Sequence, residues 1–462
     1  MLEAMNLADL LKPLAATLNG SDASFDSVSI DARQVQPGGL FVALPGSRVD
    51  GHDFIAQARE RGAAAALVER PVADPLPQLL VRDCALALGQ LGALNRATFS
   101  GPLVAITGSS GKTTVKEMLA AILRECGAVL ATRGNLNNEL GVPLTLLELA
   151  PEHRYAVVEM GAAAIGDIAY SMRLAKPDVS VLTNAGTAHI GRFGSEQAIA
   201  EAKGEILAGL GADGQGVINL DSPWIESWYQ TLGRRKAWAF SIDNPTAELH
   251  AAQVCNDQRG CPGFELVTPV GSIAVQLNLL GRHNVANALA ATGAALALQV
   301  PLQAIAKGLG ALQPVAGRGK SLSGRNGALI IDDCYNANPA SVRAAIDVLA
   351  DLDGRRLLVL GDMGELGALE QQAHRDVGAY ARARGLDGLY VTGPLSALAA
   401  EEFGTGAQVF TDRRALAAAL ATELDPATRV LVKGSRSAGM EEVVAALVEG
   451  SQIQEEGKPT CC

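Results

Sequence analysis

The feature that most constrains this chain is a glycine-containing loop between an apolar stretch and a helical pattern. Residues 103–106 predict a buried strand, and the loop that follows is Thr107-Gly108-Ser109-Ser110-Gly111-Lys112-Thr113-Thr114. Glycines let backbone amides curl around phosphate oxygens, the next helix N-terminus adds a favourable dipole, and Lys112 supplies a cation. The match to G-x-x-x-x-G-K-[ST] is incomplete, because Ile106 occupies the first glycine position. An ordinary turn is the alternative, but Gly-Lys-Thr-Thr in this setting favours a phosphate-binding loop.

Apolar runs alternate with helical stretches along most of the chain, which is typical of largely parallel sheets covered by helices. Because 462 residues exceed one comfortable core, we predict an α/β protein of three domains and a flexible tail. Their predicted limits are 1–84, 85–313, 314–455 and 456–462. Strands are predicted at 40–44, 64–68, 103–106, 155–158, 179–182, 328–331, 356–360, 388–391, 408–410 and 429–432. Helices are predicted at 53–61, 196–207 and 285–298, with an antiparallel appendage between about 247 and 279.

Composition excludes several classes of protein. The formal net charge is −11, which argues against a protein that coats nucleic-acid phosphates, so an anionic ligand needs a local site. The seven cysteines are scattered without a C-x-x-C pair, and no window approaches the apolar length of a membrane span. We therefore expect a soluble cytoplasmic protein without membrane insertion.

Polar residues that end apolar runs are candidate ligands, because parallel sheets place binding sites at the carboxyl ends of their strands. Glu159 ends the run at 155–158 and is a possible Mg²⁺ ligand, although a loop acid is the alternative. His189 lies in the loop after 179–182, where its chemistry alone leaves its role open. Lys203 lies among acids in a helical pattern, which by itself favours an exposed lysine.

The shortened loop Thr-Gly-x-x-Gly-Lys-Thr resembles that of the Mur ligase and folylpolyglutamate synthetase superfamily. The resemblance spans nearly the whole chain and includes the segments at 31–33, 37–46, 50–54, 135–143, 281–287, 332–339, 361–367 and 433–436. It implies a small N-terminal UDP-binding α/β domain, a central domain of P-loop type with a largely parallel sheet, and a C-terminal Rossmann-like domain.

The resemblance also implies roles for individual residues. Expected ATP-binding residues are Thr107, Gly108, Ser109, Ser110, Gly111, Lys112, Thr113, Thr114, Asn284, Asn287, Arg318, Asp333 and Asn336. Expected contacts to a UDP-linked substrate are Ser29, Asp31, Arg33, Gly46, Asp50, His52, Asn135, Asn137 and Asn138. Expected Mg²⁺ ligands are Thr113, Glu159, His189 and Lys203, the last as a CO₂-derived carbamate. Lys112, Lys203, His189 and Glu159 form the expected catalytic set.

The segment Asp-Asp-Cys-Tyr-Asn-Ala-Asn-Pro at 332–339 resembles the branch of Mur ligases that adds D-alanyl-D-alanine to UDP-N-acetylmuramoyl-tripeptide. That resemblance implies an ATP- and Mg²⁺-dependent ligase that forms an acyl phosphate, acts on these small molecules as a monomer, and has no nucleic-acid partner. Two alternatives stay open at this point. One is the folylpolyglutamate synthetase branch, and the other is a regulatory or scaffold protein that binds ATP without chemistry. The sequence does not distinguish lysine from meso-diaminopimelate at the third peptide position.

Overall fold

The computed structural model describes residues 1–46, 49–186, 190–257 and 259–449. Within these residues three large sheets, each covered by helices, follow one another along the chain, and a two-stranded sheet lies near the N-terminus. This arrangement confirms the predicted α/β class. The domain limits drawn from the sequence stay predictions, and the tail at 456–462 lies outside the described residues.

The N-terminal sheet has five strands in the order β2-β7-β6-β5-β4, and only the β2–β7 pair is antiparallel. Its elements, with the short strands β1 and β3 that pair with each other, are β1 (Met5–Asn6), α1 (Leu7–Leu10), β2 (Thr17–Asn19), β3 (Ser24–Phe25), β4 (Val28–Ser29), β5 (Leu40–Val42), α2 (Ile55–Glu60), β6 (Ala65–Val68), β7 (Gln78–Leu80) and α3 (Cys84–Ala97). The predicted helix at 53–61 is a 3₁₀ turn, Gly51–Phe54, followed by α2.

The central sheet has nine strands in the order β16-β15-β14-β13-β12-β11-β8-β10-β9. Its elements are β8 (Leu103–Thr107), α4 (Lys112–Arg124), β9 (Val129–Ala131), α5 (Gly141–Leu147), β10 (Tyr155–Glu159), α6 (Asp167–Ala175), β11 (Val179–Leu182), α7 (Ile190–Phe193), α8 (Glu196–Ala208), β12 (Gln215–Asn219), α9 (Ile225–Leu232), β13 (Ala237–Ser241), β14 (Leu249–Asn256), β15 (Pro262–Thr268), β16 (Gly271–Gln276), α10 (His283–Ala297) and α11 (Leu302–Ala311). Strands β14 to β16 are antiparallel as predicted, yet they continue this sheet and are not a separate appendage.

Helices cover both faces of the central sheet. Helices α4, α10 and α11 contribute to the hydrophobic core on one face, and α5, α6, α8 and α9 to the core on the other. Strand β8 therefore lies between two cores, and all five of its residues are buried. This explains why its sequence is an unbroken apolar run and not an alternation of apolar and polar residues.

The C-terminal sheet has six strands in the order β17-β18-β22-β19-β20-β21, and only the β17–β18 pair is antiparallel. Its elements are β17 (Lys320–Ser323), β18 (Leu329–Asp333), α12 (Pro339–Ala350), β19 (Arg355–Gly361), α13 (Glu370–Ala383), β20 (Gly388–Thr392), α14 (Ser396–Phe403), β21 (Ala407–Phe410), α15 (Arg413–Ala421), β22 (Thr428–Lys433) and α16 (Glu441–Leu447). Helix α12 begins at Pro339, because Asn338 and Ser341 form a reciprocal capping box and proline is favoured in the first turn.

Residues 312–319 carry the chain once from the central sheet to the C-terminal sheet. Leu280 and Cys261, from the central part, belong to the hydrophobic core of the C-terminal sheet. A second contact joins the two parts where the Gly191 amide donates to the Glu365 carbonyl at 3.2 Å and Arg192 pairs with the Glu365 carboxylate at 2.6 Å. These contacts hold the carboxyl ends of the two sheets on either side of a shared cleft.

Candidate active site

The cleft between the central and C-terminal sheets has a volume of about 990 Å³. It gathers most of the residues expected to bind ATP or metal: Ser109, Ser110, Gly111, Lys112, Thr113, Thr114, Glu159, Lys203, Asn284, Asn287, Arg318, Asp333 and Asn336. Three residues expected to face the UDP-linked substrate, Asn135, Asn137 and Asn138, line the same cleft. His189 lies outside the described residues.

The loop from Thr107 to Thr114 is held from behind by the segment that follows β11. The Thr183 hydroxyl donates to the Ser110 carbonyl at 2.7 Å, and the Asn184 side-chain oxygen accepts from the Ser110 amide at 3.0 Å. The Thr107 hydroxyl, fully buried, donates to the Met160 carbonyl at 2.7 Å. These bonds fix the loop before any ligand arrives, which lowers the entropy lost when its amides grip an anion.

Two glycines of this loop are required by geometry. Gly108 has φ +153°, and a Cβ there would lie 1.9 Å from the Thr183 hydroxyl oxygen. Gly111 has φ +79°, and a Cβ there would lie 2.4 Å from the Asn287 side-chain oxygen. The backbone thus approaches its neighbours more closely than any other residue would allow.

Lys112 opens helix α4 and points back into the loop, where its ammonium donates to the Gly108 carbonyl at 2.7 Å. Desolvation lowers the pKa of Lys112 below its usual value, the negative charge of Glu159 opposes that shift, and the positive charge of Arg318 adds to it. Lys112 and Arg318 both line the cleft. A highly charged anion such as a triphosphate would relieve their mutual repulsion.

Glu159 ends β10 beside the loop and is only 2% exposed. Its carboxylate accepts from the Thr113 hydroxyl at 2.9 Å and from the Asn137 side-chain amide at 2.7 Å. The described residues contain no group of three or more His, Cys, Asp or Glu side chains placed to hold a metal ion. The adjacent carboxylate and hydroxyl oxygens do fit Mg²⁺, which typically takes one or two protein oxygens and completes its shell with substrate phosphates and water.

Lys203 is 1% exposed, so the exposed position favoured by its helical pattern alone is wrong. Helix α8 packs against α6 and β11, which turns Ala202, Lys203 and Ile206 inward. Within the described part of the chain its ammonium has no hydrogen-bond partner. Burial, followed by the nearby Lys112 charge, lowers the pKa of Lys203 to about 7. A buried lysine that lines a cleft and has so low a pKa is a candidate functional residue.

Asn284 and Asn287 lie in the first turns of α10, facing the phosphate loop. Asn284 donates to the Leu280 carbonyl at 2.8 Å, and Asn287 donates to the Asn284 side-chain oxygen at 2.8 Å. Asn284 does not cap this helix, because the residue at the N-cap is Arg282 and no side chain caps the helix. The asparagine pair instead forms a buried polar patch against Gly111.

The C-terminal wall of the cleft presents charged and aromatic groups. The Arg318 guanidinium lies 4.1 Å from the centre of the Tyr335 ring. Lys433, at the end of β22, is 3% exposed and pairs with the Asp333 carboxylate at 2.6 Å. Asn336 accepts from the neighbouring Ala337 amide at 2.9 Å. The sequence predicts Asp333, Arg318 and Asn336 as site residues. Lys433 is an additional one, and its position at the end of an apolar strand is the signal that could have identified it.

The remaining residues expected to contact the UDP-linked substrate belong to the N-terminal part of the chain and do not line this cleft. Arg33 pairs with Asp31 at 2.8 Å and lowers the pKa of that carboxyl to about 2, while Ser29 donates to the Asp31 carbonyl. In a second cluster, His52 contacts Asp50 at 2.6 Å and accepts from the Glu69 amide at 3.0 Å. The His52 backbone amide, followed by the His52 ring and Arg70, bonds to the Asp50 carboxylate, and these bonds hold the pKa of Asp50 below its usual range.

Both ring nitrogens of His52 are therefore occupied by protein partners, and the side chain is buried. Gly46 donates its amide to the Val49 carbonyl at 3.1 Å. The N-terminal residues thus form two small surface clusters, around Asp31 and around Asp50, separate from the cleft.

A phosphate loop at the end of a parallel strand, facing a Rossmann-like sheet across one cleft, defines a nucleotide-dependent α/β enzyme. The chain belongs to the Mur ligase family. Its residues 24–94 match the catalytic domain of that family, 106–295 match the Mur ligase middle domain, and 317–436 match the Mur ligase glutamate ligase domain. It is accordingly an ATP-using ligase.

Individual relatives resemble the chain over almost their whole length. The UDP-N-acetylmuramoyl-tripeptide–D-alanyl-D-alanine ligase of Escherichia coli (strain K12) is 45% identical over 96% of this chain and 99% of that protein. The crystal structure of MurF from Acinetobacter baumannii is 37% identical with a TM-score of 0.91, covering 96% of this chain and 98% of that one. MurF ligase from Thermotoga maritima in complex with ADP is 30% identical, with a TM-score of 0.81 over 91% and 96% of the two chains.

Across the described residues, no helix has both the length and the apolar character needed to cross a membrane.

Proposed function

We propose that this protein joins D-alanyl-D-alanine to UDP-N-acetylmuramoyl-tripeptide, with cleavage of ATP to ADP and phosphate. The observation that carries the proposal is the convergence of a phosphate loop, the buried Glu159 carboxylate and the buried Lys203 on one side of a cleft with Arg318 and Lys433 on the other. The proteins named for this activity that share up to 45% of its residues support the choice of substrates. The product is the UDP-muramoyl-pentapeptide precursor of peptidoglycan.

The tripeptide carboxylate is a poor acyl donor, so amide formation requires that it first be activated. The terminal carboxylate of the tripeptide attacks the γ-phosphorus of ATP, the bond to the β-phosphate oxygen breaks, and ADP leaves. The amine of D-alanyl-D-alanine then attacks the acyl carbon of the resulting acyl phosphate, a proton is lost, and phosphate departs. Lys112 and Arg318 stabilise the charge that spreads over the transferring phosphoryl oxygens.

The nucleotide lies between the two sheets in this proposal. The loop from Thr107 to Thr114 holds its phosphates, Asn284 and Asn287 stand on its adenine side, and Asp333 and Asn336 approach it from the C-terminal sheet. A cleft that closes over the acyl phosphate excludes water, which would otherwise hydrolyse it.

Mg²⁺ fits the oxygen atoms of Thr113 and Glu159, with His189 and Lys203 as further ligands. When bound, the ion neutralises negative charge on the phosphates. A lysine with a pKa near 7 carries a neutral amine for a large part of the time at neutral pH. That amine can add CO₂ with loss of one proton, which converts Lys203 from a cation into a carbamate with anionic oxygen atoms.

The UDP handle lies on the N-terminal domain, proposed here as residues 1–84, against the clusters of Ser29, Asp31 and Arg33 and of Gly46, Asp50 and His52. Asn135, Asn137 and Asn138 meet the muramoyl part of the substrate where it enters the cleft. The ATP-binding domain then spans 85–313 and the C-terminal ligase domain 314–455. We further propose a cytoplasmic monomer that has no nucleic-acid partner.

The test is release of phosphate from ATP and Mg²⁺ with UDP-muramoyl-tripeptide, measured with and without D-alanyl-D-alanine. Full turnover is expected only with both substrates, and Glu159→Gln should lose it while Lys307→Met, which removes an exposed lysine, should not. Turnover with a folate substrate in place of the UDP-tripeptide would favour the synthetase branch. ATP binding without phosphate release under any of these conditions would favour a regulatory protein.

A further inference from the structure

Helix α4 carries a buried cation for which the reaction described above gives no role. Three lysines are buried among the described residues, and two of them, Lys203 and Lys433, line the cleft. The third, Lys116, is 2% exposed and does not line it. Burying an ammonium is unfavourable unless its hydrogen bonds are replaced, so an apolar residue would be the simpler choice here.

The Lys116 ammonium points away from the phosphate loop toward the segment after β9. It donates to the Thr132 carbonyl at 2.7 Å and pairs with the Glu117 carboxylate at 2.8 Å. Thr132 is 1% exposed, and its own amide donates to the Val157 carbonyl in β10 at 3.0 Å. Lys116 therefore links the helix that follows the phosphate loop to the start of the segment at 132–138.

That segment reaches Glu159 twice. The Thr132 hydroxyl accepts from the Glu159 backbone amide at 3.0 Å, and the Asn137 side chain donates to the Glu159 carboxylate at 2.7 Å. The Asn137 carbonyl also accepts from the Gly161 amide at 2.7 Å. The backbone and the carboxylate of Glu159 thus depend on where this segment lies.

Glu159 is also held by helix α4 itself, through the Thr113 hydroxyl at 2.9 Å. Thr113 and Lys116 are three residues apart, so they lie on the same side of the helix. Thr113 contacts the Glu159 carboxylate directly, and Lys116 acts on Glu159 through Thr132. The two contacts close a ring of bonds that runs from α4 to the segment at 132–138, to Glu159 and back to α4.

We propose that Lys116 is a positioning residue that sets the Glu159 carboxylate and the Asn137 side chain relative to the phosphate loop. This inference rests on the function proposed above, because it assigns Lys116 to the alignment of the Mg²⁺–ATP side of the cleft with its substrate side. Removing the ammonium frees the segment at 132–138 and lets the carboxylate turn away from the Thr113 hydroxyl, while both cores of the central sheet stay intact.

The first experiment compares Lys116→Met with the wild type, since methionine has a similar length and no charge. In metal-free protein, backbone amide exchange at Glu159 and Gly161 should rise about tenfold or more, because both amides donate to the segment at 132–138. With ATP, the Mg²⁺ concentration for half-maximal nucleotide binding should rise and kcat should fall, each about 10- to 100-fold, as is typical when a residue behind a metal ligand is lost.

The matched control is Lys307→Met. Lys307 is 72% exposed and pairs with Glu125, just beyond the other end of α4, at 2.6 Å, so its loss should leave exchange, Mg²⁺ dependence and kcat unchanged. A folded Lys116→Met protein with wild-type exchange at Glu159 and wild-type Mg²⁺ dependence would overturn the proposal.

If Lys116→Met does not fold, Thr132→Val tests the same ring of bonds, because it keeps the carbonyl that binds Lys116 and removes the hydroxyl that binds Glu159. The same rise in exchange and in Mg²⁺ requirement is expected, and unchanged values would again overturn the proposal. Exchange and nucleotide binding do not need the acceptor substrate. A wild type that binds Mg²⁺–ATP but forms no amide would therefore count against the proposed function. The exchange and Mg²⁺ measurements on the variants would still decide the role of Lys116.

Discussion

Replacing Lys203 by methionine should make the folded protein more stable while it removes activity. The folded environment lowers the pKa of Lys203 from 10.5 to about 7, and the side chain is 1% exposed, so little solvent screening applies. Between these two pH values the unfolded chain binds the proton and the folded chain does not. The stability of the wild type therefore rises with pH across this window, and the lysine is most costly below pH 7.

Each pH unit between the two pKa values corresponds to ~1.4 kcal/mol. The lysine thus costs folding about 5 kcal/mol at pH 6.5 and about 2 kcal/mol at pH 9. Methionine has a similar volume and no charge, so Lys203→Met avoids this cost. The gain in unfolding free energy of the variant should be largest at the lower pH and shrink by about half or more at the higher pH.

The assay is urea unfolding followed by tryptophan fluorescence in CO₂-free buffer, which keeps the amine free of carbamate. Trp224, Trp228 and Trp238 are the three tryptophans of the chain, and all belong to the central part, so the signal follows the unfolding of the region that holds Lys203. A variant no more stable than the wild type at pH 6.5, or a gain that does not change with pH, would refute the reasoning. Retained ligase activity would refute the proposed role of the amine.

Three further predictions concern other parts of the cleft. Gly111→Ala should lower ATP affinity about 100-fold, because the added Cβ would lie 2.4 Å from the Asn287 oxygen at a φ of +79°. Calorimetry measures the affinity, and a value within a factor of two of the wild type would contradict the prediction. Arg318→Lys should raise the KM for ATP about tenfold, since lysine loses the planar stacking on Tyr335 at 4.1 Å; steady-state kinetics at saturating second substrates would test it. Burial raises the pKa of Cys84 and Cys334 to about 12, so both thiols stay protonated at pH 8. Among the five cysteines that the structure describes, iodoacetamide should label the exposed Cys255 first. Mass spectrometry of the peptides gives the order, and earlier labelling of Cys334 would be inconsistent with this ranking.

The sequence predicted the parts of the fold that are set by local pattern. Every strand predicted from an apolar run is present, with ends displaced by no more than two residues. Strands such as β9 (Val129–Ala131) and β12 (Gln215–Asn219) were missed, because they are short or interrupted by polar residues and glycine. Their strand structure depends on pairing with neighbours that are distant in sequence.

The same distinction applies to the cleft. A strand–loop–helix motif is local, so the phosphate loop was visible from residues 103–114 alone. The burial of Lys203 was not, because it depends on α8 packing against β11 and α6, and its unusual pKa follows from that burial. Lys116 and Lys433 were missed for a related reason. The position of Lys433 at the end of an apolar strand was a usable signal, but its contact with Asp333, like that of Lys116 with Thr132, exists only in the folded structure.

The chain passes once from the central sheet to the C-terminal sheet, at residues 312–319. The active site is therefore made of two halves that are joined by few contacts. Lys112, Glu159 and Lys203 belong to one half, and Arg318, Asp333 and Lys433 to the other. Spacings within a half are fixed by strand register and resist perturbation, whereas spacings across the gap depend on a few contacts such as the one between Arg192 and Glu365. A compound that binds between the two halves at this contact would inhibit the enzyme without resembling any of its substrates.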